Sequence, residues 1–357
     1  SFADMLAAYC GDPSAAAPPG CERGRTGGAP DPNLGRRTPV PYCDGMQFEV
    51  IRPFDGSVYG TIPATPAAEV PAAIARARQA QVAWADVPPS ERAQVFTRLA
   101  RLVFAERDRI LDVIQAETGK SRLSAFEEVM DAGRGVRVFA SRSPRLLRPV
   151  RRGGAIPLLT RTFEHHRPVG VVGIINPWNY PFNLPATDSA QALLAGNAVI
   201  FKPDSQTPFT ALLLAELLEA AGLPDGLFQV LPGSGAELGP AMVAGVDHLM
   251  FTGSTSVGRQ LAVACAERLI GFSGELGGKN PLLVLADANV PAAVAGTVRA
   301  AFANTGQVCV GIERAYVVGE VYDEFVAQLV RSTVGLRLGA GYDWQTDVGS
   351  LASAKQF

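Results

Sequence analysis

An α/β fold built on a parallel sheet is predicted by two observations. From Val169 onward short apolar runs alternate with helical periodicity: VGVVGII, AVIFK, FQVLP and HLMFTG read as strands, and 210–221 and 256–268 repeat apolar residues at helical spacing. The first of these helices is also punctuated, with Thr207 in a capping position, Pro208 at the first helical position, and Gly222 followed by Pro224 as its stop. Strands that alternate with crossover helices form a parallel sheet. Such open sheets bind ligands beyond the carboxyl ends of their strands, so the residues just after each strand are the candidate site.

Upstream, residues 1–47 contain PSAAAPPG and GRTGGAPDPNLG, have no period, and are expected to form a loose arm. The run FEVIRPFDGSVYGTIP reads as two strands about the Asp55-Gly56 turn. Amphipathic helices are expected over 69–84, 90–118 and 121–139. The stretch 146–166, extended in character on both sides of Gly153-Gly154, reads as a protruding hairpin.

Composition narrows the function classes. The 357 residues carry 32 basic and 34 acidic side chains, so a net charge of −2 leaves no overall footprint for nucleic acid or an anionic membrane. The apolar runs are too short to span a bilayer and no leader pattern opens the chain, which makes a soluble cytoplasmic protein the expectation. Five cysteines form no C-x-x-C pair and only three histidines are present, so no metal site is expected. Cys10, Cys21 and Cys43 are expected to be reduced thiols of the arm. Small-molecule chemistry is what remains.

Three strand ends carry suitable groups. After VGVVGII comes Asn176-Pro177-Trp178-Asn179-Tyr180-Pro181, where two prolines fix the loop and Asn179 offers an amide donor for an oxyanion. After AVIF comes Lys202-Pro203-Asp204-Ser205, a cation and a hydroxyl suited to a nucleotide ribose or phosphate. After HLMF comes Gly253-Ser254-Thr255-Ser256-Val257-Gly258, a turn into a helix whose amides suit a pyrophosphate. Each alone also reads as an ordinary structural loop. Gly233-Ser234-Gly235 misses the dinucleotide fingerprint, because the next glycine is at 239, yet it can still line a cofactor cleft; Gly277-Gly278-Lys279 is no P-loop, because Ser273 stands where its first glycine belongs.

Two further segments make the pattern specific: Gly274-Glu275-Leu276-Gly277-Gly278-Lys279-Asn280-Pro281 and, 34 residues after Glu275, the cysteine of Gly306-Gln307-Val308-Cys309. In this order, with Glu117-Thr118-Gly119-Lys120 and the strand-end motifs upstream, the chain resembles the aldehyde dehydrogenase superfamily from about Phe48 to its last residue, and most of all bacterial NADP-dependent succinate-semialdehyde dehydrogenases. The resemblance implies a Rossmann-like cofactor domain (48–145 and 167–276), an oligomerisation hairpin (146–166) and an incomplete α/β catalytic domain (277–357). It implies Cys309 as nucleophile, Glu275 as general base for deacylation, and Asn179 with the Cys309 backbone N–H as oxyanion hole. It implies cofactor contacts at Asn176, Pro177, Trp178, Lys202, Asp204, Ser205, Gly235, Gly253, Ser254 and Leu276.

Glu275 favours hydrolysis to a free acid, because acylating and phosphate-reducing relatives usually lack it. A Ser at 205, where NAD-preferring relatives tend to carry Glu, favours NADP+, with NAD+ also accepted. The arginines that grip the carboxylate in well-studied succinate-semialdehyde enzymes are here Thr187 and Ala303, so an uncharged aldehyde fits as well as succinate semialdehyde. The family's later Glu-x-Phe-Gly-Pro element is absent from these 357 residues. The chain therefore reads as C-terminally truncated, which leaves an inactive or binding homologue as the alternative and predicts uncovered apolar surface. A homo-oligomer is expected for a full-length protein.

Overall fold

The computed structural model describes residues 47–156 and 159–357, so residues 1–46 of the expected arm, with its three cysteines, lie outside the described residues. Gln47, assigned to the arm, is instead the first residue of a strand. The two opening strands form as expected: β1 (Gln47–Ile51) pairs antiparallel with β2 (Val58–Pro63). Helices α1 (Val70–Asp86), α2 (Pro89–Ala105), α3 (Arg107–Thr118) and α4 (Arg122–Leu146) follow. The single helix expected over 90–118 is thus two, broken at Glu106 (φ −92°, ψ 12°). Buried Val103 and Ile110 lie seven residues apart, in phase for one straight helix, so no local period marks the break.

The helix expected to end at 139 runs on to Leu146 through Pro144. Proline removes one hydrogen bond to the carbonyl four residues back. The Ser143 hydroxyl, donating to that same Ala140 carbonyl at 3.3 Å, replaces it. The expected hairpin is the antiparallel pair β3 (Val150–Arg152) and β4 (Thr162–Glu164), with Arg152 and Glu164 in an ion pair at 2.6 Å.

The main sheet contains β5 (Val171–Ile175), β6 (Ala198–Lys202), β7 (Phe228–Val230), β8 (His248–Thr252) and β9 (Gly271–Glu275), in the order β7-β6-β5-β8-β9 with every pair parallel. All residues of β5 and β6 are buried, as central strands covered on both faces require. The crossovers are α5 (Asn183–Leu194), α6 (Pro208–Ala220), α7 (Gly235–Val243) and α8 (Thr255–Glu267). The strand order reverses between β5 and β8, where a ligand crevice opens in such sheets. Residues 271–275, to which the sequence assigns no strand, form the edge strand β9.

Beyond it, β10 (Asn280–Val284) and β11 (Ile312–Val317) pair in parallel, with α9 (Val290–Phe302) as their crossover and α10 (Gly319–Val334) following. Val284, Val290, Val294 and Phe325 form a small second core. On the other face of this pair the register partners Leu283 and Tyr316 stand 66% and 50% exposed. Residues 341–352 return to the α3–α4 corner: Ser350 N donates to Gly119 O at 2.9 Å, and Trp344 meets Phe126 edge-on.

The start of α6 departs from expectation in an informative way. Thr207 occupies the N-cap, but its side chain makes no capping bond. The buried carboxyl of Glu117, from α3, does that work by accepting from Phe209 N (2.7 Å), Thr210 N (2.8 Å) and the Thr210 hydroxyl (2.5 Å). Gly222, at φ +86°, ends the helix as predicted. Burial pushes the Glu117 carboxyl up to about 8, although its bonds from Thr210 and Phe209 pull the other way.

Two outcomes follow from Glu117. Replacement by Ala leaves two buried amides unpaired and should lower the unfolding free energy by about 3 kcal/mol in urea titrations. An unfolded glutamate releases its proton near 4.5, so between that value and about 8 the folded state holds the extra proton. Stability therefore falls as pH rises through this window. The Glu117→Gln variant should lack this part of the slope; an unchanged slope would contradict the assignment.

Candidate functional site

The carboxyl edge of the main sheet collects the strand-end motifs. Register pairs Ile175 with both Lys202 and Phe251, and Thr252 with Glu275, so Asn176, Lys202 and Glu275 leave the sheet along one edge. Gly253 N donates to Glu275 O at 3.1 Å, joining the third strand-end motif to the β9 terminus. Glu275 is exposed, and one of its carboxyl oxygens accepts from Gly277 N at 3.3 Å. It lines an open cleft of about 240 Å³ with Asp188, Met250, Thr252 and Ser273.

Three segments distant in sequence meet beside this edge. Asn179 Nδ2 donates to Gln307 O, two residues before Cys309, at 3.0 Å. Gly277 lies beside the cysteine turn, where a Cβ on it would make an ordinary contact with the Cys309 Cβ at 3.9 Å, and its φ of +76° is the left-handed turn that glycine supplies. Asn280 Nδ2 donates to the carbonyls of Cys309 (2.9 Å) and Gly311 (3.0 Å), tying the cysteine turn to β10. Cys309 is half-buried.

The nucleotide-side residues divide into two groups. Lys202 is buried, and its ammonium lies 3.5 Å from where a Cβ on Gly235 would stand, at the first turn of α7. Burial pulls the Lys202 ammonium down, and Asp204 opposes that shift. Asp204 Oδ1 accepts from Gln206 N at 2.9 Å, which settles its direction: it closes its own turn. Ser205 is exposed. In the second group Ser254 caps α8, accepting from Val257 N at 3.4 Å, and the Thr255 hydroxyl donates to Leu276 O at 3.5 Å. Pro177 and Trp178 are half-buried in the loop between the groups.

Three residues near the site, Asp188, Glu128 and Asn304, carry no distinct signal in the sequence. Asn176, buried, donates from Nδ2 to Asp188 Oδ2 at 3.1 Å while its Oδ1 has no partner. Burial pushes the Asp188 carboxyl up, partly offset by that bond. Glu128 and Asn304 hold the Asn179 segment through backbone groups, and nothing in the sequence separates them from surface polar residues. Glu128 lies among helical charges (Glu127, Asp131), and its burial depends on long-range packing.

The model of the aldehyde dehydrogenase family matches residues 42–357. A protein of Mycolicibacterium smegmatis, named a putative NADP(+) succinate-semialdehyde dehydrogenase, is 50% identical over 303 residues, which is 85% of this chain and 59% of the relative. The glutarate-semialdehyde dehydrogenase of Pseudomonas aeruginosa is 36% identical over 317 residues, 87% of this chain and 65% of that protein. A crystal structure of succinate-semialdehyde dehydrogenase from Burkholderia pseudomallei superposes with a TM-score of 0.83 at 34% identity, covering 86% of this chain and 64% of that one. The chain thus spans about three fifths of the length of the curated mycobacterial relatives it matches.

The two described thiols differ in access. Cys265 is 1% exposed, and burial pushes its thiol up. Iodoacetamide followed by peptide mapping should therefore modify Cys309 at least about tenfold faster than Cys265. Equal rates would show that Cys309 is shielded.

Proposed function

Because the chain belongs to the aldehyde dehydrogenase family, we propose that it oxidises an aldehyde to a carboxylic acid, with NADP+ preferred and NAD+ accepted, through a thioester on Cys309. The observation that carries this reading is the meeting of Asn179, Gly277 and Asn280 with the Gln307–Cys309 turn. Within it, residues 48–145 and 167–276 form the cofactor domain, 277–357 the first part of the catalytic domain, and the β3–β4 ribbon within 146–166 the contact of a homo-oligomer.

In the proposed reaction the Cys309 thiolate adds to the aldehyde carbon, and the carbonyl oxygen takes up negative charge. An asparagine amide has two N–H groups. One of those on Asn179 is engaged by Gln307 O, which fixes the amide plane and leaves the other for the oxyanion, together with the Cys309 backbone N–H. Loss of hydride from the hemithioacetal carbon leaves a thioester. Glu275 then takes a proton from the water that hydrolyses it, and its exposed position at the open cleft supports access for that water.

The strand edge fits a dinucleotide. The first turns of α7 and α8 present free amides beside Lys202, Gly235, Gly253 and Ser254, and Asn176 keeps a buried oxygen unpaired. Asn176, Pro177 and Trp178 would hold it between the Lys202–Ser205 group on one flank and the Ser254–Leu276 group on the other; when bound, its nicotinamide would supply the hydride acceptor. The preference for NADP+ rests on the exposed, uncharged hydroxyl of Ser205, at the position where a glutamate would repel a 2′-phosphate, and on the Lys202 cation at the same strand end. Among substrates, the relatives' names point to succinate semialdehyde. The Thr187 hydroxyl is spent on Asn183 O at 2.8 Å and Ala303 has no charge, which supports uncharged aldehydes equally.

The test is formation of reduced cofactor across a panel of aldehydes. Cys309→Ala should abolish it. Glu275→Gln should retain one equivalent in the first turnover but slow steady-state turnover about a hundredfold. Ser205→Glu should shift the preference toward NAD+ by about tenfold. A parent chain that binds NADP+ yet reduces none with any aldehyde would overturn the catalytic reading in favour of a binding homologue.

A further inference from the structure

The segment carrying Asn179 is held by two buried charges that the proposed chemistry does not consume. Lys120, in the turn between α3 and α4, and Glu128, on α4, have fully buried side chains. Lys120 Nζ donates to Glu128 Oε2 at 2.6 Å and to Asn179 O at 2.7 Å, and it lies 4.5 Å from the centre of the Tyr180 ring. The other Glu128 oxygen accepts from Phe182 N (2.8 Å) and Asn183 N (3.1 Å), the first amides of α5.

The same face of α4 grips the segment before the cysteine. Ser124, one turn ahead of Glu128, accepts from Asn304 N at 3.2 Å. Asn304 and Thr305 are consecutive left-handed residues (φ 50° and 60°), a strained conformation that persists only where its surroundings enforce it. Asn304 Nδ2 donates to Asn179 O (3.0 Å) and to Gln307 O (3.1 Å), the carbonyl that also receives the Asn179 side chain.

We propose that Lys120 and Glu128 are positioning residues, which act through Asn179 O and the first amides of α5 to set the Asn179 amide against the Cys309 turn. Two charges cost more to withdraw from water than an apolar pair of similar volume, and what they add in return is a set of bonds to Asn179 O, Phe182 N and Asn183 N that an apolar pair would leave unmade. Their bonds fall on one loop. The inference rests on the oxyanion role given above to Asn179.

The test separates positioning from packing. Lys120→Met leaves Glu128 buried and unpaired and should lower the melting temperature as well as the rate. The double variant Lys120→Met/Glu128→Gln removes both charges with little change of volume and should regain most of the melting temperature that Lys120→Met loses. Its rate of aldehyde-dependent cofactor reduction should stay at least about tenfold below the parent, with KM for NADP+ unchanged. Recovery of both temperature and rate would overturn the proposal and make the pair packing alone.

Glu128→Gln keeps an oxygen for Phe182 and Asn183 and should lose a few-fold in rate; parity with the parent would also overturn it. Hydrogen exchange over 176–184 and 303–309 needs no turnover. Faster exchange in Lys120→Met, confined to these segments, is expected, and unchanged exchange there would overturn the proposal even if the parent itself reduces no cofactor. In that last case the catalytic reading fails separately.

Discussion

The site depends on one buried ion pair. Two charges withdrawn from water cost several kcal/mol each unless every remaining valence is filled. Lys120 and Glu128 meet that condition only in one arrangement. The ammonium faces a carboxylate, a carbonyl and an aromatic ring; the carboxylate faces that ammonium and two helix-starting amides. If the Asn179 loop shifts, at least one charge loses a partner inside the protein. The loop is therefore tied to α4 by the cost of leaving it.

Glu117 follows the same logic eleven residues earlier. It is a buried carboxyl from α3 that caps α6 across space, as Glu128 from α4 supplies the first amides of α5. Both crossover helices following the two central strands thus begin on an acid borrowed from the helical layer. Since each crossover starts just past a strand end, fixing the helix start also fixes the loop that carries Asn176–Asn179 or Lys202–Ser205. The edge strand β9 has no such support on its outer side, and Glu275 at its end stands exposed beside the open cleft.

Much of the fold was legible in the chain. Apolar runs located β5 and β6, which are buried on both faces and so continuously apolar. They also located the partly buried β7 and β8, as short apolar runs between helical stretches, while α6 was marked by the glycine its end needs. The break at Glu106 was not legible, because the apolar face continues through it in phase. Nor was β9: GFSGE has neither alternation nor a branched run, and it is a strand because β8 offers it a hydrogen-bonding edge. The expected capping role of Thr207 failed for a related reason. Spacing identifies a residue able to cap, whereas the actual acceptor arrived from another helix.

The residue types of the candidate chemistry were determined by the sequence alone. A cysteine after Gly-Gln, a glutamate before two glycines and an amide between prolines are chosen by local chemistry, and their order along the chain carries the family. What only the tertiary structure decided is how they are held. Asp204 turns into its own loop, Gly277 makes a left-handed turn beside Cys309, and Lys120, Ser124 and Glu128 from one stretch of the chain converge with Asn304 from another on the Asn179 and Gln307 segments. A buried polar group has a role only once its partners are known, and those partners lie up to about 180 residues away, at distances no local pattern encodes.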